Sequence, residues 1–107
     1  MDFDKVLNAI HKWFNNIKVN YSSKIIIEII QDNDLMLHVF FETETRISEL
    51  IVNQPYFAPY RYVSFIVMDI KRELPEPVFC YYDNNSCTID DIINKLNSGI
   101  EAALAAT

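Results

Sequence analysis

Four side chains of this sequence belong to the usual soft metal ligands: His11, His38, Cys80 and Cys87. No C-x-x-C or H-x-x-x-H pair sets two of them on one element, so a zinc site would depend wholly on tertiary placement. The plainer expectation is a solvated helical His11 and a small core residue at Cys80. Cys87 alone has a physical reason to be reactive. It precedes a helix beginning near Thr88, and a thiol at a helix N-terminus is easier to ionise, but Asp90 and Asp91 in the same turn oppose a thiolate. Phosphate cradles need glycines so that backbone N–H groups can approach the anion. The chain has one glycine, Gly99, inside its last helical pattern, which rules out a P-loop or a dinucleotide fingerprint. The expectation is a protein with no catalytic residues, metal or cofactor.

Two other groups of residues stand out. Glu28, Asp32, Asp34, Glu42, Glu44 and Glu49 face a single cation, Arg46, in that stretch. Singly they read as solvated strand-end and turn charges; together they form a candidate docking patch for a basic surface. Tyr56-Phe57-Ala58-Pro59-Tyr60-Arg61-Tyr62 is the second group, with Pro55 just before it. Tyrosine and arginine often dominate interface energetics, and prolines lower the entropy lost when a loop is ordered on binding. Tyr56, Phe57, Tyr60, Arg61 and Tyr62 are therefore candidate anchors. The alternative is that Phe57 and some tyrosines cap the edge of the core.

The elements that would position these groups are legible from periodicity. Phe3, Val6, Leu7, Ile10, Trp13, Phe14 and Ile17 share one helical face, with Asn15-Asn16 and Asn20–Ser23 as end signals. Lys24–Gln31 and Leu35–Thr43 read as strands joined by the Asp32-Asn33-Asp34 turn. Arg46–Asn53 fits either a helical stripe (Ile47, Leu50, Ile51) or a short strand, and is read as a strand. Arg61–Ile70 and Val78–Tyr82 complete the strands. Thr88 and Asp91 resemble a capping box ahead of Ile89, Ile92, Ile93, Leu96 and Ile100. Gly99 then either ends the helix or permits close packing before a last turn through Leu104. The result is a single α+β domain over residues 1–107, in the order α-β-β-β-β-β-α, with a mainly antiparallel meander. Both faces of the sheet read as apolar. Two short helices on one face would leave the other free as an interface, including one for a homodimer, whereas one helix on each face would bury both within a monomer.

The 107-residue length suits one domain, and a net charge of −6 disfavours nucleic acid. The opening Met1-Asp2-Phe3-Asp4 lacks a signal-peptide pattern and no apolar run is long enough to span a bilayer, so a cytoplasmic, non-membrane protein is expected. Abundant Ile, Asn and Lys suggest an AT-rich, bacterial source. In size and charge alone the chain resembles bacterial immunity proteins, which neutralise a toxin by binding it. That resemblance implies a basic protein partner. The alternatives are a small-molecule pocket lined by Trp13 and Tyr62, with Cys80 or His38 within, and a self-associating structural subunit.

Overall fold

The apolar stripe from Phe3 to Ile17 is the buried face of helix α1, Phe3–Tyr21, in a computed structural model that describes residues 2–71 and 73–105. Asp2 is its N-cap, its Oδ1 accepting the Lys5 N–H at 3.0 Å. Asn15 and Asn16 lie inside the helix. Their modest propensity penalty is outweighed by burial of Ile17 in the next turn.

Five strands follow: β1 Ile26–Asp32, β2 Leu37–Glu42, β3 Arg46–Val52, β4 Val63–Asp69 and β5 Glu76–Tyr82, with helix α2 Ile89–Leu104 last. Their sheet order is their chain order, and every neighbouring pair is antiparallel. The Arg46–Val52 segment is a strand. Ser48, Leu50 and Val52 are buried while the residues between them are half-buried, a period of two that no helix would give. β5 begins at Glu76, ahead of the expected start at Val78, and so includes Pro77. Pro77 is tolerated because β5 is an edge strand and the β4–β5 register shifts next to it.

Both helices cover the same side of the sheet. Trp13 and Phe14 of α1 meet Phe41 edge-on at 6.4 and 6.1 Å, and Trp13 also reaches Phe65 at 6.5 Å. On that same Phe65 sits Gly99 of α2, where an added Cβ would lie 2.5 Å from the ring. Gly99 thus does not end the helix: it lets α2 approach the sheet closely. Leu37, Val39, Phe41, Leu50, Val52, Val63, Phe65, Val67 and Tyr81 are the sheet's contribution to this core.

The capping box is complete. The Thr88 N–H donates to Asp91 Oδ2 at 2.9 Å and the Asp91 N–H donates to Thr88 Oγ1 at 3.1 Å. α2 carries no basic residue in its last turn; Arg46 of β3 donates instead to the Ala102 carbonyl there. A cation against terminal helical carbonyls complements the helix dipole. Among the described residues, no helix is long and apolar enough to cross a membrane.

Candidate functional site

With both helices on one side, the other side of the sheet has no covering element among the described residues. The strand registers arrange its side chains in three rows. The first runs Ile26, Glu42, Ile47 and Met68; the second Glu28, Phe40, Glu49, Ile66 and Cys80; the third Gln31, His38, Ile51, Ser64 and Tyr82. No Lys or Arg occupies any position of these rows. Carboxylates thus gather over β1 to β3, interleaved with Phe40, Ile47 and Ile51, while β4 and β5 present Ile66, Met68, Cys80 and Tyr82.

On this face His38 Nε2 lies 2.8 Å from Glu49 Oε2, and the imidazole also packs against Phe40 at 5.4 Å between centroids. At the far end the Tyr82 ring stacks on Tyr60 at 6.1 Å. Tyr60 donates its hydroxyl hydrogen to Asn53 Oδ1 at 3.0 Å. Its phenol is held above the ordinary tyrosine range, first by burial and then by the nearby Glu49 and Asp83 charges, against the lowering effect of the Asn53 hydrogen bond.

The six acidic residues do not form one surface. Glu28, Glu42 and Glu49 share the open face, and Glu28 and Glu49 sit mid-strand rather than at strand ends. Asp32 lies at the end of β1, its Oδ1 2.8 Å from His11 Nε2, so His11 is paired and partly buried. Asp34 is exposed in the β1–β2 turn, near Asp4, Asn8 and His11 of α1. Glu44 is in the β2–β3 turn, beside a surface cleft with Lys24 and Leu104.

The aromatic loop divides similarly. Tyr56 and Phe57 form its tip, 94% and 91% exposed, with their rings edge-to-face at 5.2 Å. Phe57 therefore does not cap the core. Tyr60 joins the open face. Tyr62 turns to the helix side, edge-on to Phe3 at 5.3 Å, with the Arg61 guanidinium 4.5 Å above its ring.

Asp83 anchors the C-terminal end of this loop. It is buried, and its Oδ1 accepts the backbone N–H groups of Arg61, Tyr62 and Val63 at 2.9, 2.8 and 2.8 Å. Nothing local to Asp83 marks this role, since its partners lie about twenty residues upstream.

The cysteines also fall on different sides. Cys80 is exposed on the open face, not in the core, because its strand register pairs it with Ile66. Cys87 is half-buried on the helix side, where Tyr81 donates to its sulfur at 3.4 Å. Burial, and then Cys87, push the Tyr81 phenol well above the ordinary tyrosine range. Trp13 and Tyr62 lie on the helix side and Cys80 and His38 on the open one, so no pocket can be lined by all four. Among the described residues no group of three or more His, Cys, Asp or Glu could hold a metal ion.

Comparison with family models, with curated proteins and with solved structures finds no match for this chain.

Proposed function

We propose that this protein acts by binding a basic protein partner across the open face of its sheet. The observation that carries the reading is the composition of that face: Glu28, Glu42 and Glu49 set among Phe40, Ile51, Ile66, Met68 and Tyr82, with no cation in the rows. Apolar area supplies affinity, and carboxylates of one sign steer a basic surface and exclude acidic ones. The exposed Tyr56–Phe57 tip, at the Tyr60 and Tyr82 end of the face, adds an anchor beside it. Neutralisation of a basic toxin, without catalysis and in the cytoplasm of a bacterium, is the concrete form of this function. Self-association through the same face would bring two sets of these carboxylates into one interface with no cation from either copy, so charge favours a different partner.

Capture from host lysate at low and high salt tests the reading. The parent chain and Glu44→Lys, whose site lies off the face, are expected to retain the same basic protein at low salt. Glu28→Lys combined with Glu49→Lys is expected to lose it while keeping the parent's circular dichroism. Equal capture by all three, or equal loss in both variants, would overturn the assignment to this face.

A further inference from the structure

The sheet has two edges, and they differ. β5 is protected: Pro77 offers no backbone donor, the register shifts beside it, and α2 lies over Phe79 through Gly99. In β1 the register shift comes only after Ile29. Its sequence, IIEIIQD, contains no Lys or Pro to discourage pairing, and Ile26, Ile29 and Ile30 are 69%, 46% and 50% exposed. From Ile26 to Ile29 it runs in regular register against Glu42 to Val39. Alternate backbone N–H and C=O groups along that length face outward, with no strand beside them among the described residues.

We infer that this edge takes up an extended segment of a basic partner as an added antiparallel or parallel strand, with Lys or Arg on the open-face side and apolar side chains on the helix side. The inference rests on the partner-binding reading above and specifies the kind of segment bound. Side-chain alternation dictates that pattern. On the open-face side the incoming strand meets Glu28, with Glu42 one strand further in; on the helix side it meets Ile27 and Ile29. The shift in register between Ile29 and Gln31 ends the regular edge, and Asp32 beyond it is engaged with His11. The added strand therefore pairs with the Ile26–Ile29 stretch alone. A second copy of β1 fits poorly, because it would bring another Glu28 and no cation to the Ile26–Ile29 stretch.

The test uses the full chain, ¹⁵N-labelled, and a blocked synthetic peptide of alternating Val and Lys. Two further peptides carry N-methyl groups on all Val amides or on all Lys amides. Alternate amides of a strand point the same way, so one methylated peptide should bind like the parent and the other on the order of tenfold or more weakly. Amide shifts should centre on Ile26–Ile29, and an Asp-for-Lys peptide should not bind. Equal binding by both methylated peptides, binding of the Asp peptide, or no binding at all would overturn the inference. Shifts centred on Phe40, Glu49 and Ile66 would also overturn it, while supporting the open face as the docking surface. Concentration-dependent dimerisation through β1 without peptide would replace the basic segment with a second copy.

Discussion

Along β4, neighbouring residues experience two environments. Phe65 and Val67 meet the helices and are fully buried, whereas Ile66 and Met68 point to the uncovered side and remain partly exposed. The residue types are similarly apolar, so hydrophobicity does not decide which face is core. The helices decide it: the aromatic side chains of α1 and the small Gly99 of α2 both select the Phe41 and Phe65 side. A strand apolar on both faces therefore marks either complete burial or an interface, and here one face is the core and the other is uncovered among the described residues.

The largest effect expected from this difference comes from truncation. Phe65→Ala should cost about 3–5 kcal/mol, and Ile66→Ala, one residue along, about 1–2 kcal/mol, both read by urea denaturation. Equal losses would mean that the open face is covered in solution. Gly99→Ala should come next. Although alanine is favoured by about 1 kcal/mol in a helix, its Cβ would press on the Phe65 ring, and a net loss of about 1–2 kcal/mol is expected. A gain in stability would show that α2 can lift from the sheet at little cost.

Loss of the α2 cap should be smaller and confined to the helix side. Thr88→Ala is expected to cost about 1 kcal/mol and to speed hydrogen exchange in α2 more than in β2 or β3. Hydrogen bonds from the Thr88 backbone and side chain hold the Asp91 carboxyl below its ordinary value. Its contribution is therefore present at neutral pH and lost as pH falls through the folded-state value, so the Thr88→Ala deficit should shrink in acid. A deficit constant from neutral to strongly acidic pH would contradict this.

The smallest effect compares Tyr81 and Tyr82, adjacent residues on opposite faces. Both phenols are raised, Tyr81 first by burial, and Tyr82 first by its hydrogen bond with Cys80 and then by that residue's charge. Raised folded values mean that stability holds below the ordinary tyrosine range and declines as pH rises beyond it. Cys80→Ala should bring Tyr82 down toward the ordinary value. Cys87→Ala should leave Tyr81 clearly raised, because burial is its leading cause. Ultraviolet phenolate titration distinguishes the two, and a Tyr81 that returned fully to the ordinary range would break the assignment of faces.

The element order was readable because each segment keeps its period, even Arg46–Val52 once alternation is weighed over the helical stripe. The capping box was readable because it is local. Features set by partners far along the chain were not. Cys80 reads as core from its apolar surroundings, yet its register places it outside. Glu28 and Glu49 read as strand-end charges because strand ends could be placed only approximately, and Glu28 shares the open face with Glu49 only through the pairings of Phe40. Asp83 gave no sign of its three amide donors, which come from a loop preceding a different strand.

The hydrogen bond from Trp13 Nε1 to Asn97 Oδ1, 2.8 Å long and spanning 84 residues, has a kinetic consequence. Every strand pairs with its neighbour in the chain, so the sheet can zip by short loop closures, whereas contact between the two helices requires nearly the whole chain. Trp13 is the sole tryptophan, placed where those helices meet. In a refolding experiment its emission would time the closing of the fold, separately from the backbone signal of the sheet forming between the helices.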